Sequence, residues 1–261
     1  MATLGRYAPR VRAWMICLVA LAACAKSKSH PLDLDYIRVS TDARLRTDTV
    51  GVGTFEEHAT FVLVDADNTS KEGAYVSLGG SLSDEGGTVL GKLRTQSLWI
   101  PPGETRTFAL VDHDRKPRPS SAKARIEVKG ALVPAVPPPN RATGVRDYEQ
   151  GDHIVAAGFI ENDAETAGAI TVIASFHDAD GRPMTRPFTL LKVGPHGKLP
   201  VQFAGPPGSK HGTIFTSDSI YPSPDNIPSE LDPAQFGSAA KIEQRLDQAV
   251  NLQQQIDKAN R

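Results

Sequence analysis

Two acidic runs carry side chains that could ligate a hard cation. His177, Asp178 and Asp180 stand close together in the first run, and residues 64–68 offer a similar pair of carboxylates. Calcium takes six to eight oxygen ligands, and neither run has the later acidic ligand of an EF-hand loop. Asp is also a common residue of tight turns. Both runs are therefore predicted as turns and no metal site is predicted. A calcium-dependent binding module is the alternative.

Local motifs of catalysis are missing from the sequence. It contains no Gly-x-Ser-x-Gly elbow and no His-Glu-x-x-His pair, and no glycine-rich phosphate loop follows a strand. We therefore predict no catalytic residue, no cofactor and no nucleotide. An enzyme, or an accessory subunit of one, is the alternative because catalytic residues can assemble across a fold.

Two further features could contact a partner. The run 114–119 is rich in Arg and Lys and could meet an anionic group, but a solvated loop is the favoured interpretation. Trp99 could anchor a ligand. It stands at a predicted strand end beside a Pro-Pro turn, so a packed core position is favoured for it.

Cys24 ends an N-terminal run that is typical of an export signal. Three arginines precede the apolar residues 13–23, and the last of these are small. The run would span about 16 Å as a helix, whereas a hydrocarbon core is about 30 Å thick. It is too short to cross a membrane, so residues 1–23 are predicted as a removable signal. A buried N-terminal helix is the alternative.

The sequence Leu21-Ala22-Ala23-Cys24 resembles the lipobox of bacterial lipoproteins. In that family the signal is cut before the cysteine, whose thiol receives a diacylglyceryl group and whose amino group is usually acylated. The resemblance implies lipidation at Cys24 and a membrane-anchored protein of the cell envelope. Ala25, rather than Asp, follows the cysteine, which favours the outer membrane, facing the periplasm or the cell surface. The inner membrane is the alternative.

Charge and composition exclude several classes of protein. The formal net charge is -1, and removal of three arginines with the signal makes it 26 - 30 = -4. A strongly basic nucleic-acid binder is therefore excluded. The chain has 22 Gly and 20 Pro, which favours turns and short strands over long helices.

A repeat with a spacing of 94 residues is the strongest internal signal. It contains seven identical pairs: Asn68 and Asn162, Ser81 and Ser175, Asp84 and Asp178, Gly87 and Gly181, Thr95 and Thr189, Pro101 and Pro195, Gly103 and Gly197. Within each copy, apolar residues alternate over 76–82 and 170–176, the period of a strand with one buried face. The matched Asp and Gly residues then predict hairpin loops.

This pattern predicts an all-β fold of two tandem antiparallel β-sandwich domains. The second copy, through 155–162 and 170–181, resembles the FxLYD-type domain, a small immunoglobulin-like sandwich of bacterial envelope proteins. Phe203 and Phe108 fit the Phe that follows the Pro-Gly turn of that family. The resemblance implies a fold and an envelope setting but no reaction.

The pattern divides the chain into successive segments. After the signal we predict a flexible tether over 24–33 and a proline-rich linker that joins the two sandwiches. A proline-rich segment and a short helix from Ser238 are predicted to end the chain. That helix is expected to pack on the sandwiches, with a coiled-coil partner as the alternative. The remaining predicted bounds are 34–131 for the first sandwich, 132–144 for the linker, 145–221 for the second sandwich and 222–261 for the C-terminal segment.

Together these features predict a binding or assembly role at a membrane surface. The expected partners are the membrane, through the lipid at Cys24, and a protein of the envelope; no nucleic acid is expected. Addition of a partner's strand to an exposed sheet edge is one mechanism available to small antiparallel sheets.

Overall fold

The computed structural model describes residues 28–50, 57–217 and 227–228. The predicted signal, Cys24 and the helix predicted from Ser238 lie outside these residues and stay predictions. Within the described part of the chain, no helix has the length and hydropathy needed to cross a bilayer.

The described residues of the first half of the chain form eight strands. Their bounds are β1 (His30–Pro31), β2 (Ile37–Val39), β3 (Arg44–Val50), β4 (Glu57–Asn68), β5 (Ala74–Ser83), β6 (Val89–Ile100), β7 (Thr105–Val111) and β8 (Lys123–Val133). In β5, Val76 and Leu78 are fully buried, whereas Tyr75 and Ser77 are partly exposed. This alternation gives the sheet one core-facing side, as the period of two in the sequence predicts.

Two antiparallel sheets make the first sandwich. Sheet A has the strand order β1-β8-β5-β6, and sheet B is built around β4, which pairs with β2, β3 and β7. Val62 and Phe108 of sheet B face the core between the sheets. Phe61 and Leu63, on the other side of β4, are equally buried. Sheet B is therefore covered on both faces.

The second half repeats this architecture. Its strands are β9 (Asn140–Gln150), β10 (His153–Asn162), β11 (Gly168–His177), β12 (Pro183–Thr185), β13 (Pro187–Val193), β14 (Lys198–Ala204), β15 (His211–Ser217) and β16 (Ile227–Pro228). Sheet C has the order β9-β10-β14. Sheet D is built around β11, which pairs with β12, β13 and β15, and β16 joins β13 in parallel. The order β3-β4-β7 thus recurs as β9-β10-β14, and β8-β5-β6 as β15-β11-β13. Two tandem antiparallel sandwiches are confirmed.

The repeated asparagines hold equivalent corners of the two sandwiches. Both side chains are buried. The Nδ2 of Asn68 donates to the carbonyls of Glu72 and Ile100, at 2.7 and 3.0 Å. In the same way, the Nδ2 of Asn162 donates to the carbonyls of Thr166 and Gly194, at 2.9 and 3.0 Å. These carbonyls lie four and 32 residues after the asparagine, as they do for Asn68. Each Oδ1 accepts from the backbone N–H two residues later. The repeat is therefore preserved at the level of single hydrogen bonds.

The two predicted hairpin loops also share one geometry. Gly87 and Gly181 have φ of 87° and 76°, values that favour glycine. Each donates its N–H to the carbonyl of the repeated aspartate, Asp84 or Asp178. The carboxylate of that aspartate accepts from the backbone N–H four residues after it. Turn chemistry therefore explains the repeated Asp and Gly.

Strands extend into both segments that were predicted as connections. His30 and Pro31, within the predicted tether, pair with Val133 and Leu132 of β8. Pro31 lacks an N–H and is tolerated there because β1 is an edge strand, and the buried Leu32 fastens the segment to the core. The predicted linker is likewise strand at both ends, so only residues 134–139 connect β8 to β9.

The two sandwiches pack directly against each other. Ile173, Phe188 and Phe215 of sheet D join the buried cluster of the first sandwich. In sheet D, Ile173 alternates with Val172 and Ala174, which belong to the core of the second sandwich. Sheet D therefore has two apolar faces, one for its own core and one for its neighbour.

Polar contacts surround this shared core. Asp178 accepts from Arg44 at 3.1 Å, and His177 lies 2.9 Å from Asp65. Arg46 donates to the carbonyl of Met184 at 2.8 Å. These contacts join segments more than 100 residues apart, so the pair of sandwiches is one structural unit rather than two modules on a spacer.

The buried Arg186 crosses the same interface. Its Nη1 lies 3.4 Å from the Oε1 of Gln96, which also accepts from the backbone N–H of Ala109 at 3.0 Å. Burial lowers the pKa of Arg186 to about 9. The guanidinium thus links the second sandwich to β6 of the first, and Gln96 in turn links β6 to β7.

Candidate functional site: a cleft between the sandwiches

A cleft of about 530 Å³ opens where the connection 134–139 crosses from one sandwich to the other. Trp99 and Pro101 line it from the first sandwich, and Ala142 and Ile214 from the second. The connection itself contributes Pro137 and Pro138. Ligand sites of this size commonly form between packed domains, and the shared core keeps the walls of this one in fixed relative positions.

Trp99 forms the aromatic wall of the cleft. Its ring lies 5.4 Å from that of Tyr75, at an interplanar angle of 58°. A Cβ on Gly73 would lie 2.3 Å from the indole, so glycine is required for this packing. The sequence favoured a core position for Trp99, whereas the structure leaves it half-buried. One part of the ring is packed and another part lines the cleft.

Two cation–carboxylate groups supply the charge of the cleft. Arg106 lies 2.7 Å from Glu104, and its mostly buried guanidinium stands 5.1 Å from the Phe215 ring. Burial lowers the pKa of Arg106, and Glu104 acts in the opposite direction. On the other wall, Arg141 forms ion pairs with Asp163 and, at 2.7 Å, with Glu161.

Glu161 helps to fix the position of the Arg141 side chain through its ion pair with the guanidinium. Hydrogen bonds from Lys198, with further ones from Thr143 and Arg141, hold the pKa of Glu161 below its ordinary value. A carboxylate kept ionised in this way fixes the position of the guanidinium. Arg141 is therefore held in place before any ligand arrives.

Asn140 adds an unused acceptor to the wall. Its Oδ1 is buried and makes no hydrogen bond. Its backbone carbonyl accepts from the hydroxyl of Thr216 at 3.0 Å, which joins β9 to β15 beside the cleft. Buried polar atoms are normally paired, so this oxygen is an exception among the residues that build the wall.

Sequence reasoning did not identify this cleft because its residues form no local motif. Trp99 and Arg106 come from the first repeat, whereas Arg141, Asp163 and Ile214 come from the second. The one available signal was Trp99 itself, an aromatic residue beside a Pro-Pro turn. Its significance depends on the second sandwich, which no local pattern could place.

The acidic run 64–68 is strand rather than turn, so that prediction is wrong. Val64 and Ala66 of β4 are buried in the core, which turns the carboxylates of Asp65 and Asp67 to the opposite side. The hydroxyls of Thr107 and Thr105 on β7 donate to them, at 2.5 and 2.6 Å. Partners on a neighbouring strand stabilise acidic residues in a strand, which an isolated sequence window cannot reveal.

The structure likewise separates the groups of the other acidic run. His177 faces Asp65 across the interface, and Asp178 binds Arg44 and the N–H groups of its own turn. These hydrogen bonds hold the pKa of Asp178 below its ordinary value, the one from the backbone of Arg182 being the strongest. Among residues 28–50, 57–217 and 227–228, no three His, Cys, Asp or Glu side chains are grouped as metal ligands.

The basic run 114–119 is partly occupied by internal ion pairs. Arg118 donates to the fully buried Asp112 at 3.0 Å and to Asp114 at 2.8 Å. These contacts fix the loop against β4, where the hydroxyl of Thr60 accepts from the backbone N–H of Arg118. The charge of Arg118 therefore serves the fold of the first sandwich.

An edge of sheet A is open within the described part of the chain, but its side chains oppose strand addition. β8 pairs with β1 only through Leu132 and Val133. Along the rest of this edge, Lys123, Arg125 and Lys129 are exposed. Charged side chains on an edge strand discourage pairing with another chain, so the cleft is the better candidate for recognition.

Comparison with known proteins does not assign the chain to a family. No protein-family model matches the chain, and no curated protein is similar to it. Among solved structures, the chain is similar to the tandem CBM22-1–CBM22-2 domain of Paenibacillus barcinonensis Xyn10C. The sequence identity is 8%, with 84% of this chain and 95% of that chain covered and a TM-score of 0.12. At that score the likeness carries no argument about function, and the description of this protein depends on its own geometry.

Proposed function

We propose that this protein is a non-catalytic binding protein of the bacterial cell envelope, anchored by lipid at Cys24, that takes its ligand in the cleft between the sandwiches. The observation that carries the proposal is the construction of the cleft. Both sandwiches build it around a half-buried Trp99, and ion pairs hold its charged groups in place. A preorganised site loses little conformational entropy when a ligand binds.

The charges of the cleft favour an uncharged polar ligand. Glu104 and Arg106 balance each other, as do Arg141 and Asp163. A charged ligand would have to compete with one of these pairs, which is costly at Arg106 because its side chain is mostly buried. An uncharged ligand can place an apolar face on Trp99 and accept hydrogen bonds from the exposed guanidinium of Arg141.

Trp99 makes the ligand prediction measurable. The chain has two tryptophans, and the other, Trp14, belongs to the predicted signal, so the emission of the processed protein reports on the cleft alone. We expect a neutral oligosaccharide or an uncharged capped peptide, titrated separately, to shift or quench this emission.

Arg141→Ala should weaken that binding about tenfold, equivalent to about 1.4 kcal/mol, because it removes a positioned donor. Arg125→Ala, which changes an exposed arginine of sheet A outside the cleft, is the matched control. If no neutral ligand changes the Trp99 emission, or if both arginine variants bind alike, the cleft is not the binding site.

The anchor has its own test. Cys24→Ala removes the thiol that would carry the lipid, so the protein should move from the detergent phase to the aqueous phase on phase separation. One acyl chain gives only marginal membrane binding, whereas two or three chains make attachment nearly permanent. The expected change is therefore almost complete. A Cys24→Ala protein that still partitions with detergent would contradict lipidation at this residue.

A further inference from the structure

The N-terminal segment enters the fold at a defined place. The backbone N–H of Ala135 donates to the hydroxyl of Ser29 at 3.1 Å, and the next two residues form β1 against the end of β8. The chain therefore joins the body beside the connection 134–139, at the same end of the molecule as the cleft.

Exposed apolar side chains gather at this point of entry. Of the seven large apolar side chains exposed in the described residues, four lie here: Leu34, Tyr36, Leu132 and Val136. Val136 is 76% exposed. With the exposed Pro31 they are called the entry face. Single exposed apolar residues are ordinary on protein surfaces, whereas a group of them marks an interaction site.

Backbone pairing and chain adjacency place these residues at one end of sheet A, and Val136 directly follows Ala135, which donates to Ser29. Pro31 stands opposite Leu132 in sheet A. Leu34 and Tyr36 belong to the 3₁₀ turn that follows, and the carbonyl of Tyr36 accepts from Thr69. The row continues across sheet A, because Leu132 stands opposite Tyr75 and Tyr75 opposite Trp99. An apolar row thus runs from the point of entry to the wall of the cleft.

The length of the chain before Lys28 limits what can cover the entry face. Three residues separate Cys24 from Lys28, so their Cα atoms lie at most about 14 Å apart, four steps at roughly 3.5 Å per residue. A lipid at Cys24 would therefore hold this end of the body within about 14 Å of the lipidated residue, and so close to the bilayer surface. The exposed cations Lys28 and Lys71 are offset by Asp33, Asp35 and Glu72, so an apolar contact is favoured over attraction to anionic lipid.

We infer that the entry face lies against the surface of the lipid bilayer and that the cleft opens beside that surface. This inference rests on the proposed anchoring at Cys24. Leu, Val and Tyr side chains are suited to the boundary between headgroups and acyl chains. Trp99 ends the apolar row and lines the cleft, so a ligand would be met at the membrane surface rather than away from it.

Site-specific labelling can test this contact in the lipidated protein. Cys17 belongs to the predicted signal and Cys24 would carry lipid through its sulfur, so one introduced cysteine would be the only reactive thiol. Val136→Cys places a spin label on the entry face. Val89→Cys is the matched control, because Val89 is 64% exposed and lies about 30 Å from Trp99 along β6, at about 3.3 Å per residue.

The label at position 136 should be protected when the protein is reconstituted in phosphatidylcholine vesicles. Its collision rate with a water-soluble nickel chelate should fall at least about fivefold. The reference is the same label on protein that lacks the lipid, measured in solution without detergent. The label at position 89 should change less than about twofold. Added salt should not reverse the protection, because the contact is apolar.

Two outcomes would overturn the inference in different ways. If the protein floats with the vesicles but both labels stay equally accessible, the anchor holds and the entry face does not touch the bilayer. If the protein with Cys24 intact does not float with vesicles, the anchoring proposal fails and the membrane contact fails with it.

Discussion

Replacing Asn68 with alanine should lower the free energy of unfolding by about 3 kcal/mol, and Asn162→Ala should lower it by a similar amount. Each side chain donates to two carbonyls and accepts from one backbone N–H. Alanine would remove all of these hydrogen bonds, and each fully buried group left without a partner costs about 1–3 kcal/mol. Denaturant unfolding, with comparison of midpoints at constant slope, measures the loss.

Two controls separate this effect from a general loss of polarity. Asn140→Ala should change stability by less than about 1 kcal/mol, because the Oδ1 of Asn140 makes no hydrogen bond. Asn68→Asp keeps the acceptor but loses the donor amide, and should destabilise as much as alanine because its charge would face two carbonyls. A loss for Asn68→Ala or Asn162→Ala no larger than that for Asn140→Ala would show that the corners do not hold the sandwiches.

The second large effect is expected at the interface between the sandwiches. Phe215→Ala should cost about 3–5 kcal/mol, the range for deleting a buried phenylalanine. The ring is 1% exposed, joins the cluster shared by both halves, and stands 5.1 and 5.8 Å from the guanidinium groups of Arg106 and Arg186. Its removal would leave a cavity beside two poorly solvated cations. Calorimetry of the wild type and the variant measures this cost.

Phe159→Ala is the matched control because Phe159 also contacts a cation but is half-exposed. Lys198 lies 4.6 Å from its ring, and removing the Phe159 ring should cost about 2 kcal/mol or less, because this ring is less buried than that of Phe215. The wild type should unfold in a single transition, since the two sandwiches share buried side chains. Two separate transitions in the wild type, or equal effects of the two substitutions, would contradict a common core.

The elements that sequence reasoning placed correctly are those with local causes. The strands around 76–82 and 170–176 follow from apolar residues that alternate in the sequence, although 170–176 is buried on both faces, and the loops at Gly87 and Gly181 follow from turn chemistry within five residues. The repeated Asn68 and Asn162 also appear in a plain comparison of the chain with itself. Each signal depends on side chains near one another in sequence, where steric and hydrogen-bonding preferences act directly.

The packing of the two halves against each other is indicated only weakly by the sequence. Phe61, Val62, Leu63 and Val64 form an unbroken apolar run in β4, and Ile173 stands between core residues of β11. Such runs are typical of strands buried on both faces. They indicate that both faces of sheets B and D must be covered. They do not identify the covering surface.

By itself, the sequence determined the fold class, the duplication, the hairpin loops at Gly87 and Gly181 and the expectation of a lipid at Cys24. The tertiary structure alone decided that sheet D packs on the first sandwich, that Asp65 and Asp67 lie in a strand, and that Trp99, Arg106 and Arg141 share a cleft. The physical reason is the range of the forces involved. Backbone geometry and turn hydrogen bonds are set by adjacent residues, whereas apolar burial has no direction and selects its partner only when distant segments meet.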